Sequence, residues 1–285
     1  MKFKELIELH INKYSQHMIT ESTKKFYYSN IVTISKYFDI TFDGGATVES
    51  LTSENIRSYQ RWRDDQLSKT TKEKEMRMFK IMLKVADKEG LIEKDCSDEI
   101  YKYKSEPSIK SQTYIDPERL MEVFQKAKKY LTPEKFAAFY IGHALMTRPA
   151  ELLNLEKKDF DLQEKKVYIR GTKNTSSNSI LPISVELIDL IAPLLAKKGD
   201  DDRLFPYSYM WLVKIYQYLS EFCDVFDKSI TPHKARKNMV MYHLHKGTNI
   251  KVLEKLGRWS NSKVLLDIYA KATPGQLKQA AAILG

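Results

Sequence analysis

The stretch TPHKARKNMVMYHLHKGTNIKVLEKLGRW, residues 231–259, reads as two helices joined at Gly247, the second closing on Trp259 just after a glycine. Thr231 and Pro232 supply a cap and a first-turn proline. His233 and Arg236 then fall at i and i+3 and project from one face of the first turn. Polar groups on a helix that otherwise reads as buried are costly unless a bound partner needs them. The amides and the dipole at a helix N-terminus attract phosphate, and an arginine fork grips two of its oxygens. The stretch therefore predicts a phosphate site.

A second site of the same kind lies upstream, in LMTRPAELLNL at 145–155, where Arg148 precedes Pro149 at a short helix start. Glu151, three residues on, caps that helix or orients a neighbouring side chain. Two arginines at two helix starts are able to clamp one phosphate and supply the fixed positive charge of phosphoryl transfer without an obligatory metal. Lys173, in the turn RGTKNTS, fits a mobile general acid. Tyr269, in SNSKVLLDIYAKAT, carries a phenol with a reference pKa near ~10, a nucleophile only where a base and cations favour its oxyanion.

The chain has 285 residues, enough for two ordinary domains. Hydrophobic residues at 42% exclude general disorder, and a net charge of +10 predicts an acidic partner, nucleic acid before a membrane surface. Cys96 and Cys223 are far apart and lack metal-ligand spacing, so neither a disulfide framework nor a zinc site is expected, and a cytoplasmic setting is. The opening MKFKELIELHINKY reads as an amphipathic helix rather than a signal peptide, and no apolar run nears the ~18 residues of a membrane span.

Helical periodicity dominates the first hundred residues. Ser22 or Thr23 is expected to cap a helix carrying Phe26, Ile31, Ile34 and Phe38 on one face, and two further helices follow, the second ending at Gly90. Residues 1–103 are expected to be a helical domain, 104–114 a polar linker and 115–285 a second domain. That domain opens with a helix capped by Asp116 with Pro117 in its first turn, then a nearly apolar helix from Thr132. KKVYIRGTKNTSSNSILPIS, 165–184, is a β-hairpin, and helices resume to the C-terminus. The expected class is mainly α with a small antiparallel sheet.

Together these pieces resemble the tyrosine recombinase (phage integrase) family, whose ordered pattern is Arg, Lys, His-x-x-Arg, His or Trp, then Tyr. TRPAELLNL is similar to its first arginine box, RGTKN with ILPIS to its hairpin lysine, ITPHKAR to its second box, and LGRWSNSKVLLDIY to its third box and nucleophile. The family's usual Thr-Gly-x-Arg turn is here LMTR, with no glycine, and Trp259 stands where histidine is commoner, as in Cre-like members. The resemblance implies a Cre- or Xer-like pair of domains closing as a C-shaped clamp on duplex DNA. It implies Arg148 and Arg236 on the scissile phosphate, Lys173 protonating the leaving 5′-hydroxyl, His233 as acid/base, Trp259 as indole donor or buttress, and Tyr269 forming a 3′-phosphotyrosyl link.

No cofactor or metal ion is expected; His143 lies on an apolar helix, and His243 with His245 face different sides of theirs. The implied partner is double-stranded DNA with short inverted-repeat sites, bound by a tetramer; the segment TPGQLKQAAAILG after Tyr269 suits packing on a neighbouring protomer as well as it suits capping its own domain. Lys24, Lys25, Lys69, Lys72, Lys74 and Arg77, interleaved with Ser, Thr and Tyr, suit sequence-independent phosphate contacts as well as they suit solvated helix faces. A type IB topoisomerase-like relaxase and a non-catalytic DNA-binding protein on the same scaffold are the alternatives.

Overall fold

A computed structural model of the chain describes residues 1–15, 19–64, 66, 69–93, 95–98, 115–171, 178–226, 230–259 and 265, with the backbone alone at 69 and 70. Two compact units, Met1–Lys110 and Ser111–Gly285, divide the chain.

The first unit is helical. α1 (Phe3–Leu9) runs on through a π-helical turn (His10–Tyr14), and α2 (Glu21–Thr41), α3 (Ser53–Asp64) and α4 (Lys69–Lys88) follow. The cap of α2 is Thr20, earlier than expected: its backbone is extended and its Oγ1 accepts the Thr23 N–H at 3.3 Å. Ile31, Ile34 and Phe38 bury as periodicity predicts, against Phe3, Leu6, Tyr59 and Phe79, whereas Phe26 is only partly buried. Beyond α4, Gly90 takes φ +66° and the Leu91 N–H bonds back to the Ala86 carbonyl, the glycine-closed helix end that the sequence indicates.

The second unit is built around α6 (Pro133–Ala144), the nearly apolar helix. α5 (Leu120–Tyr130) precedes it, starting one turn later than expected because Asp116 caps only the turn before it, accepting the Glu118 N–H at 3.0 Å. After α6 come α7 (Pro149–Leu153), the strands β1 (Phe160–Asp161), β2 (Lys166–Ile169) and β3 (Ser179–Pro182), then α8 (Val185–Leu195), α9 (Tyr209–Phe222), α10 (Pro232–His245) and α11 (Ile250–Leu256). The sheet is antiparallel in the order β1-β2-β3, with Val167 opposite Leu181. Val167, Ile169 and Leu181 share its buried face. The hairpin is as expected; β1, two residues long, is an addition. Helices α5, α8, α9 and α10 all pack on α6. Among the described residues no helix is long and apolar enough to cross a membrane.

Candidate active site

The segment joining α6 to α7 turns sharply at Met146, whose φ is +46° although it bears a side chain. Met146 is fully buried and belongs to a small apolar cluster with Val240 of α10, Leu253 of α11 and Leu265, against which Trp259 also packs. That cluster fixes the turn against the two helices of the sequence stretch at 231–259. Pro149, which has no N–H to leave unsatisfied, opens α7, with Arg148 as its extended N-cap.

Glu151 organises the turn and serves in both capacities that its sequence position suggests. Its carboxylate accepts the Arg148 backbone N–H at 2.8 Å, capping α7, and the Arg148 Nη1 at 2.5 Å. It also accepts Nη2 of Arg258 at 2.9 Å. Burial by itself pushes a carboxyl's pKa up, but the hydrogen bonds from Arg148 and the Arg258 charge outweigh it and hold Glu151 below the usual carboxylate range. The Glu151 side chain is wholly buried, yet Arg148 keeps 33% of its own exposed. The first arginine is therefore anchored at one nitrogen and presented outward.

Arg236 lies one turn into α10 and is largely buried. Its Nη1 donates to the Met146 carbonyl at 3.3 Å, and its guanidinium lies 3.7 Å from the centre of the Trp259 ring. Arg148 and Arg236, 88 residues apart in sequence, thus meet at one turn. His233, on the preceding turn, is exposed, with its ring 5.9 Å from that of Tyr209 in α9. Partial burial holds its imidazole below the usual histidine range, so it favours the neutral form that can accept a proton. Pro232 takes the expected first-turn position, although Thr231 makes no side-chain cap bond.

Trp259 folds back over Gly257: a Cβ placed there would lie 1.5 Å from the indole, so the ring keeps this position only above glycine. Between these two residues stands Arg258, which the sequence reading did not single out. An arginine beside a helix end reads as solvated, and nothing local marks its partners at Leu145, Met146 and Glu151, which lie more than a hundred positions away.

Lys173 and Tyr269 lie outside the described residues, as does the segment after Tyr269. In the first unit, Lys25, Lys74 and Arg77 are exposed, and Lys24 pairs with Glu21 at 2.7 Å. Lys72 is buried rather than solvated, its ammonium 2.8 Å from the Asp64 carboxylate, and the side chain of Lys69 is outside the described residues. His143 is fully buried, hydrogen-bonded through Nδ1 to the Phe139 carbonyl, and burial brings its pKa down to about 4. His243 faces the Thr248 hydroxyl at 3.2 Å. Among the described residues no group of three or more His, Cys, Asp or Glu is placed to hold a metal ion.

Comparison with known proteins agrees with this architecture. The chain is 26% identical over 184 residues to tyrosine recombinase XerA of Thermococcus onnurineus, covering 60% of this chain and 61% of that protein. It is 28% identical over 140 residues to the XerA of Thermococcus kodakarensis, covering 47% and 49%. The alignments thus span about half to three-fifths of these relatives. Among solved structures, the Tn1549 transposon integrase in complex with a circular intermediate DNA superposes with a TM-score of 0.72 at 16% identity over the whole of both chains. XerH site-specific recombinase bound to a palindromic difH substrate gives 0.71 at 17% identity, over 92% of this chain and 79% of that one. At such identities the likeness is one of fold. The model of the phage integrase SAM-like domain matches residues 2–105. Because the phage integrase family model matches residues 114–276, more than half of the sequence, the chain belongs to the phage integrase family.

Proposed function

We propose that this protein is a site-specific DNA recombinase that cleaves and rejoins duplex DNA by transesterification on Tyr269. The observation that carries the reading is the convergence of Arg148 and Arg236 on the Met146–Arg148 turn, with His233 one turn from Arg236 on the same helix. Fixed guanidinium groups of this kind stabilise the charge that develops on a phosphate under attack.

In the reaction the Tyr269 phenol oxygen forms a bond to the scissile phosphorus, and the bond from phosphorus to the 5′-oxygen breaks. Arg148 and Arg236 hold the non-bridging oxygens. Lys173 gives its proton to the leaving 5′-oxygen, and neutral His233 takes the phenol proton. Trp259, held against Arg236, buttresses that guanidinium or donates its indole N–H. A 5′-hydroxyl from a partner strand then reverses each step, displacing the phenol. Each broken phosphodiester is replaced by another ester, so no ATP is consumed and no cofactor is required.

On this reading residues 1–103 form a core-binding domain, 104–114 a linker and 115–285 the catalytic domain. Lys25, Lys74 and Arg77 of the first contact phosphates, with Lys24 and Lys69 beside them, whereas Lys72 serves Asp64. The substrate is duplex DNA with short inverted repeats, the working form is a tetramer in the cytoplasm, and a mobile element is the natural cargo. The test is a nicked suicide duplex carrying the inverted repeats that flank the protein's own gene. A covalent protein–DNA adduct is expected, and it disappears in Tyr269→Phe. An adduct that survives the substitution, or relaxation of plasmids regardless of sequence, overturns the reading.

A further inference from the structure

Arg258 has almost no accessible surface, yet it hydrogen-bonds to both sides of the Arg148 turn. Its side chain is 1% exposed. Nη1 donates to the carbonyls of Leu145 at 3.1 Å and Leu256 at 2.9 Å, and Nη2 to the Met146 carbonyl at 3.0 Å and the Glu151 carboxylate at 2.9 Å. Leu145 and Met146 lie just before Arg148, and Glu151 three residues after it, so one guanidinium ties both sides of the turn together. The same carboxylate holds Arg148, and the same Met146 carbonyl accepts from Arg236. Arg258 also has φ +56°, and from this left-handed backbone its side chain enters the turn while the next one, Trp259, lies over Arg236.

We infer that Arg258 is a positioning residue: buried away from substrate, it sets the Leu145–Glu151 turn and through Glu151 aims the exposed end of Arg148 at the phosphate. The inference rests on the recombinase reading above. A planar fork is required for the role, because a lysine ammonium in that place keeps the charge opposite Glu151 but does not reach four acceptors in this spread.

The test compares Arg258→Met and Arg258→Lys in single-turnover adduct formation on the nicked duplex, with duplex affinity measured alongside. Affinity is expected to stay at the wild-type level while adduct formation in Arg258→Met falls about 100-fold, the loss that a displacement of about an ångström produces in an aligned site. Arg258→Lys should fall between the two, and it carries both measurements if Arg258→Met fails to fold. In an Arg148→Lys background the Arg258 substitution should add little further loss, since both act through one group. Fully additive losses, or weakened DNA binding with unchanged cleavage, overturn the role. Nitrogen-15 relaxation of the Arg148 side chain supplies a readout that needs no cleavage: ordered in wild type, it should become mobile in both variants. A wild type that forms no adduct defeats the recombinase reading alone, and unchanged Arg148 order in the variants then defeats the positioning role by itself.

Discussion

Both units bury a glutamate against arginine, and the two glutamates leave their arginines in different states. In the first unit Glu75 takes Nη2 of Arg63 at 2.6 Å and Nε at 3.0 Å, and Tyr59 adds its hydroxyl at 2.8 Å. Arg63 is 12% exposed and lies over the Trp62 ring, so its fork is absorbed within the fold. In the second unit Glu151 divides itself between the buried Arg258 and the one-third-exposed Arg148. A carboxylate that saturates one arginine fixes a helix pair, whereas a carboxylate shared between two can anchor one and present the other.

The largest effect expected from this contrast comes from Glu151→Gln set beside Glu75→Gln. Each leaves a guanidinium facing a neutral amide, and breaking a buried pair from one side costs about 3–5 kcal/mol. Calorimetry should register both losses. Only Glu151→Gln should also slow adduct formation per folded molecule, since only there does the freed arginine face the proposed substrate. Equal slowing by Glu75→Gln would erase the distinction between the two pairs.

Next in size is an acid sensitivity expected of the second unit. His143 titrates at about 4 in the fold against 6.5 in an unfolded chain. Between those values the unfolded chain holds a proton that the folded one does not, so stability declines as pH falls through that window. The difference corresponds to a loss of about 3 kcal/mol by linkage. Glu151, with a depressed pKa, adds a further loss at pH below the ordinary carboxylate range. Denaturation of His143→Phe across the same window should show a shallower slope; an unchanged slope would move the sensitivity elsewhere.

A smaller effect is expected at Gly257. A methyl group there meets the indole at 1.5 Å, and relief by displacing Trp259 costs about 1–3 kcal/mol, as overpacking does elsewhere. Trp259 fluorescence should shift in Gly257→Ala as the ring leaves Arg236. In the first unit the corresponding change at Gly90, where nothing lies within 4 Å, should strain only the backbone.

What the sequence made legible divides along the same line between local and shared contacts. Ile31, Ile34 and Phe38 advertise α2 by their spacing alone, and Val167 and Leu181 advertise the hairpin, because each of those signals is carried within one element. His233 and Arg236 stand out in the sequence for the same reason, three positions apart at one helix start. Arg258 does not, because its acceptors at Leu145, Met146 and Glu151 come from a distant segment and only the fold assembles them. Lys72 misled in the same way, its ammonium being taken up by Asp64. Thr20 displaced Ser22 and Thr23 as the cap of α2 because three hydroxyl side chains within four positions compete for one N-terminus.

Met146 offers the smallest test and the one most specific to the site. In the first unit the left-handed positions among the described residues are glycines, Gly45 and Gly90; in the second, Met146, Lys165 and Arg258 take that conformation with side chains attached. For Met146 the strain is about 1 kcal/mol or somewhat more. Burying the thioether offsets it, since truncating a buried methionine typically costs about 2–5 kcal/mol. Both Met146→Ala and Met146→Gly should therefore destabilise the second unit, but their order is the informative quantity. At an ordinary position alanine outlasts glycine by roughly 0.5–1 kcal/mol. Here glycine relieves the strain that alanine retains, which outweighs alanine's ordinary advantage, so Met146→Gly should be the more stable of the two by about 0.5 kcal/mol. The reverse order in urea denaturation would mean that the turn relaxes out of the left-handed region once the methionine is gone, and that side-chain packing alone holds the backbone on which both arginines meet.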